Sequence, residues 1–178
     1  MIFKYKIFCN KNIIIGLLCV PLLVISSTSN AKSKSSIPQA TKILVQKKER
    51  QLCLLQGKKV LKTYKIALGF NPVGHKRQQG DGRTPEGTYK VDYKNPKSTS
   101  HLSLHLSYPN AQDKKQARKN KVSPGGDICI HGLYPTLQHL GAEHIRYNWT
   151  HGCIAVTNKE IEEIWKYVRT GITVEIRA

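Results

Sequence analysis

Thr150-His151-Gly152-Cys153 is the densest cluster of reactive side-chain types in this chain of 178 residues. A cysteine attacks as its thiolate, and an imidazole beside it lowers the thiol pKa and takes up the proton. His131, followed by Gly132, ends a strand-like run on a definite face and is the candidate imidazole. Gly152 and Gly132 carry no side chain, so the backbone beside the sulfur and beside the imidazole stays open to close approach. Backbone N–H groups near a helix start stabilise both a thiolate and a developing oxyanion. Cys153 is therefore read as a nucleophile and His131 as its general base. The bland alternatives are a buried thiol and a core histidine at a strand end.

The neighbouring sequence must bring these two side chains together. Asp127 to Gly132 is predicted as a strand, with Ile128 and Ile130 on one face and Cys129 and His131 on the other. Thr157 to Thr170 is predicted as a helix. Thr157 and Glu160 form its capping box, Ile161, Ile164, Trp165 and Val168 its apolar stripe, and Gly171 its stop. Upstream, runs at 43–45, 52–55 and 60–68 read as a β-meander that turns at Gln56-Gly57-Lys58. Gly69 to Gly87, rich in Gly, Pro and charge, reads as a long loop. Thr88 to Tyr93, Ser100 to Tyr108 and Ile172 to Arg177 read as further strands, and Leu102, Leu104 and Leu106 share one face of the second. Asp113 to Lys121 is predicted as an exposed helical turn and Pro135 to Ala142 as a short helix. The fold class is mainly β with one packed helix after the Cys-bearing loop.

Other residues carry weaker signals. Tyr134 and Trp149 border the spacer and the cysteine and could wall a substrate groove, although core packing also suits Trp149. Arg83 either binds a substrate carboxylate through its guanidinium fork or is a surface turn charge. Cys129 shares the face of His131, and a Cys129–Cys153 disulfide would silence the thiol. No metal site is expected: His101 and His105 share a strand face but stand about 13 Å apart at the rise of a strand. The spacing of His131, His151 and Cys153 does not follow a zinc motif.

His131-Gly132 followed, after the spacer, by Thr150-His151-Gly152-Cys153 resembles the L,D-transpeptidase (YkuD-type) catalytic signature. Gly80-Asp81-Gly82-Arg83-Thr84-Pro85-Glu86-Gly87-Thr88-Tyr89 resembles a second stretch of that family, and 101–110 and 123–132 are similar to one of its branches. The second position after the cysteine, often Asn or Arg in the family, is Ala155. The resemblance implies a β-sandwich-like catalytic domain over 41–178, with Cys153 as acyl-accepting nucleophile and His131 as base. It implies that Gly132 makes a backbone contact to that histidine, and that His151, Gly152 and Cys153 build or orient an oxyanion hole, with Thr150 in the same loop. It implies a cysteine acyltransferase acting on peptidoglycan stem peptides through a thioester, forming cross-links or anchoring protein to the wall, with no cofactor. A hydrolase of the same fold, acting as L,D-carboxypeptidase or endopeptidase, is the alternative, with a wall-anchored lipoprotein as a further partner. A reading from another class is a non-catalytic wall-binding module.

The N-terminus bears on charge and compartment. Lys4, Lys6 and Lys11 precede an apolar run from Ile13 to Ile25, and Ser29-Asn30-Ala31 fits a small-x-small cleavage site. Residues 1–31 are therefore predicted to be a secretory signal peptide and 32–40 a linker. An uncleaved anchor is the alternative, and it would be the only membrane contact. The predicted location is the periplasm or cell envelope. The formal net charge of +18 invites a nucleic-acid reading, but 1–31 carries three of those charges and export argues against nucleic acid. Anionic envelope polymers suit the remaining charge. Cleavage also removes Cys9 and Cys19, so Cys53, Cys129 and Cys153 cannot all pair within the chain.

Overall fold

Ile43, Val45, Leu52 and Leu54 point alternate side chains into one apolar core. They lie on β1 (Lys42–Gln46) and β2 (Gln51–Gln56), which pair antiparallel, and β3 (Lys59–Lys65) follows across the predicted turn. Gly57 closes that turn at φ +58°, a left-handed value that glycine adopts without steric cost. The structure, a computed structural model, describes residues 37–178. The segment read as a signal peptide (1–31) and most of that read as a linker (32–40) lie outside the described residues. The folded unit runs from Pro38 to Ala178.

The remaining strands are β4 (Gly87–Ser98), β5 (His101–Leu106), β6 (Cys129–His131), β7 (Ile154–Ala155) and β8 (Thr173–Arg177). All eight form one mixed sheet in the order β3-β2-β1-β8-β4-β5-β6-β7. The C-terminal strand β8 lies between β1, to which it is parallel, and β4, to which it is antiparallel, with Val174 and Ile176 in the core. β4 serves two halves: Gly87 to Lys90 pair with β8, while Val91 to Ser98 pair with β5 after a register shift past Val91. That shift lets one strand turn from one half into the other. Just past β3, Ala67 exchanges hydrogen bonds with Ala155 of β7 (3.0 and 2.9 Å), so the segment after one end strand pairs with the other end strand.

α1 (Ala111–Lys119) is a full helix rather than the predicted turn. It begins earlier because Asn110 caps it: Oδ1 accepts from the amides of Gln112 and Asp113, and the Asp113 carboxylate accepts from the Asn110 amide. The connection after β6 is a 3-10 segment, Pro135–Arg146, broken at Gly141, and thus longer than predicted. α2 (Asn158–Tyr167) has the predicted capping box, with Thr157 Oγ1 accepting from the Glu160 amide and Glu160 Oε2 accepting from the Thr157 amide. It ends before the predicted Thr170, because Val168 is extended, yet Ile161, Ile164 and Val168 all enter the core. Each such buried side chain contributes about 1.5–3 kcal/mol of transfer free energy. Lys94 Nζ lies 4.3 Å from the Trp165 ring centroid and donates to the carbonyls of Trp165 and Val168, which ties the helix end to β4.

Candidate active site

Cys153 stands at the mouth of β7, at the end of a turn closed by one hydroxyl. Thr150 Oγ1 donates to the Cys153 carbonyl (2.7 Å) and accepts from the Gly152 amide (3.2 Å). The Thr150 backbone is fixed in turn, donating to Leu68 O and accepting from Phe70 N. Gly152 takes φ +131°, and a Cβ there would stand 2.6 Å from the Arg83 carbonyl. A side chain at Gly69 would stand 2.1 Å from the Gly82 carbonyl. These close approaches seat the loop between β3 and β4 directly against the cysteine turn. That loop is organised by Asp81, which accepts from Lys76 Nζ and from the amides of Arg77, Gln78 and Arg83. Burial alone would raise the Asp81 pKa; these donors outweigh it and hold it below the usual carboxylate range.

His131 ends β6, pairing with Ser103 of β5 on one side and Ala155 of β7 on the other. Its ring is buried. Nδ1 lies 2.6 Å from the Gly132 carbonyl, which can only accept, so the proton is on Nδ1 and Nε2 is left for the sulfur. A Cβ on Gly132 would meet Asn158 Oδ1 at 2.6 Å, and Ile161 Cγ2 and the Ser100 carbonyl at 3.0 Å. Asn158 Oδ1 also accepts from the Leu133 amide at 2.8 Å. The first turn of α2 thus grips the chain just past the imidazole. Trp149 and Tyr134 stand with ring centroids 5.8 Å from that of His131 and 5.7 Å from each other, forming an aromatic wall.

The thiol is held for ionisation. The Cys129 amide donates to Cys153 Sγ at 3.4 Å, and when protonated the thiol can donate to the Asp127 carbonyl at 3.4 Å. The Cys153 pKa is driven well below that of an ordinary thiol, first by a hydrogen bond from the Cys129 thiol and then by His131, against the opposing effect of burial. The Cys129 pKa moves upward for the reciprocal reason. Cys129 and Cys153 stand side by side without a disulfide between them.

The structure brings Cys153, His131, Gly132, Gly152, Thr150, Tyr134 and Trp149 into one neighbourhood. His151 is exposed, edge-on to Phe70 at 5.6 Å between centroids. Arg83 contributes its carbonyl to the contact with Gly152, while its guanidinium lies beside Gly74. Ala155 is fully buried against Ala67 and His131, and so presents no polar group to a ligand. A cavity of about 390 Å³, lined by residues including Lys47, Arg50, Val73, Gly74, Glu86 and Asn148, includes neither Cys153 nor His131. Among the described residues no group of three or more His, Cys, Asp or Glu could hold a metal ion, and no helix is long and apolar enough to cross a membrane. Sequence reasoning missed Asn158, Thr84, whose Oγ1 accepts from the Gly69 amide, and Cys129 as a donor to the sulfur. For Cys129 a signal was present in its two-residue spacing from His131. For the others none was, because their partners are distant in sequence.

A thiol of lowered pKa beside a carbonyl-anchored imidazole, at adjoining strand ends of a β-rich domain, is suited to attack on a carbonyl. The chain belongs to the L,D-transpeptidase catalytic-domain (YkuD) family, whose model matches residues 40–176. Its relatives include "Putative L,D-transpeptidase YafK" of Escherichia coli (strain K12), 29% identical over 91% of this chain and 64% of the relative. The structure is similar to that of the helical cell shape determining protein Pgp2 from Campylobacter jejuni, at TM-score 0.61 and 27% identity, covering 79% of this chain and 48% of that one. An L,D-transpeptidase from Xylanimonas cellulosilytica shares the fold at TM-score 0.50 and 16% identity, covering 79% of this chain and 62% of that one. The chain thus spans less than two thirds of the length of each.

Proposed function

We propose that this chain is an exported cysteine L,D-transpeptidase that acts on peptidoglycan stem peptides in the cell envelope. The observation that carries the reading is the Cys153 sulfur, held by the Cys129 amide beside an imidazole whose Nδ1 is anchored on Gly132 O. Cys153 transfers its proton to His131 Nε2 and attacks the carbonyl of an L-centre whose next residue is D. The oxyanion donor we assign is the amide of Cys153, because the Gly152 amide is already engaged by Thr150 Oγ1. His131 then protonates the departing D-residue, and a thioester remains on Cys153. An amine acceptor, with His131 as base, yields a cross-link or an anchored protein, such as a wall-anchored lipoprotein; water yields a trimmed stem. Tyr134 and Trp149 wall the approach to the imidazole.

The test is incubation of the purified chain with tetrapeptide-stem muropeptides, following release of the terminal D-residue by mass. Release with new cross-linked dimers is the expected result, and Cys153→Ala should abolish it. Tripeptide without dimers would make the chain a hydrolase. Undiminished turnover by Cys153→Ala would remove Cys153 from the mechanism, and sacculus binding without any turnover would favour a wall-binding module.

A further inference from the structure

The parallel register of β6 and β7 pairs Ile130 with Ile154, so the residues before each, Cys129 and Cys153, lie side by side at one end of the two strands. Ile128 and Ile130 are buried in the core, which turns the Cys129 side chain to the opposite face, the one it shares with His131. There the Cys129 thiol faces the Cys153 sulfur and the hydroxyl of the buried Ser103 on β5, and the Asp127 carboxylate adds a negative charge that further disfavours its ionisation. The Cys129 amide already fixes the sulfur at 3.4 Å.

We propose that the Cys129 thiol is a positioning residue for Cys153: its S–H donates to the Cys153 thiolate, beside the Cys129 amide and His131, and holds that sulfur in its ionised form. This rests on reading Cys153 as the nucleophile. Two adjacent thiols do not ionise together, because the first thiolate repels the second. The charge settles on Cys153, since that sulfur also receives the Cys129 amide and His131. The Cys153 proton passes to His131 Nε2, and Cys129 keeps its own throughout. When the thioester forms, the sulfur loses its charge and with it the acceptor of the Cys129 S–H; cleavage of the thioester restores both. A donated hydrogen bond raises the thiolate fraction at low pH but lowers the nucleophilicity of each thiolate. Its removal therefore leaves a crossing pair of pH profiles, which a loss of packing does not.

The experiment measures iodoacetamide labelling of Cys153 against pH in the full chain, quantified on the peptide that carries it, together with thermal melting. Cys129→Ala and the bulkier Cys129→Val lack the donor, while Cys129→Ser keeps one. In the donorless variants the labelling midpoint should rise by about one pH unit. The low-pH rate should fall about threefold and the high-pH plateau rise about threefold. Cys129→Ser should return the midpoint toward that of the parent chain. Superimposable profiles overturn the proposal. So does a drop by one factor at every pH with a lower melting temperature, or a serine variant that behaves as the alanine one. Labelling needs no peptidoglycan: a shifted midpoint without muropeptide turnover by the parent chain would keep the thiol pair and discard the substrate reading.

Discussion

Gly132 occupies a place that no side chain can share. Its missing Cβ is where Asn158 Oδ1, Ile161 and the Ser100 carbonyl converge, and its own carbonyl anchors His131 Nδ1. Gly132→Ala should therefore displace α2 from β6 and cost about 1–3 kcal/mol of stability, with a fall in turnover as the imidazole loses its anchor. Thermal melting and the muropeptide assay check this together. Gly126→Ala, at a position with open space around it, should leave both unchanged. The residues of the candidate site were legible in the sequence where the chemistry is local: Thr150 to Cys153 and His131-Gly132 stand out by type and spacing. Asn158 was not legible as a site residue, since it is reached only after the chain has left its partner Leu133 and passed through the spacer and the cysteine turn.

Among the elements, α2 shows how a short-range signal governs a long-range contact. Its capping box was readable because Thr157 and Glu160 stand three residues apart and bond each other's backbone. Thr157→Ala should lower stability by about 1 kcal/mol, read as a smaller urea midpoint at unchanged slope. Because Asn158 rides on the same first turn, the variant should also slow turnover more than an exposed substitution at the far end such as Lys166→Ala. The cap of α1 was missed because Asn110 follows Pro109, where a turn reading competes with a helix start. The place of β8 in the middle of the sheet was equally invisible. Its alternation announces a strand, but its neighbours β1 and β4 are chosen by closure of the core.

For the molecule as a whole, acid is the informative stress. His144 is buried against Trp149 in the 3-10 segment, and no hydrogen-bond partner reaches either ring nitrogen. Burial, helped by His131 and Arg50, pushes its pKa down to about 4. The folded chain thus keeps this ring neutral at pH values where the unfolded chain binds a proton, so the unfolded state takes up more protons between about pH 6.5 and 4. Stability should be full above that window, fall through it by roughly 3 kcal/mol, and change no further on this account below it. Urea midpoints at the two ends of the window measure the loss, and His144→Leu should remove most of the difference. The β-rich class and the packed helix after the cysteine were legible from periodicity. The order of the strands was not, since periodicity records which face of a strand is buried and says nothing about its neighbour.

The pairing of Ala67 with Ala155 gives the proposed nucleophile, Cys153, a history as well as a place. β7 is two residues long and is clasped by β6 on one side and by the segment after β3 on the other. Neither clasp is local, and contacts between distant parts of a chain form slowly because the intervening loop must first be ordered. Until they form, Cys153 has no amide from Cys129 and no imidazole at its side, and it is an ordinary, mostly protonated cysteine. Completion of the fold is thus what arms the thiol, and a chain stalled before closure carries a harmless one.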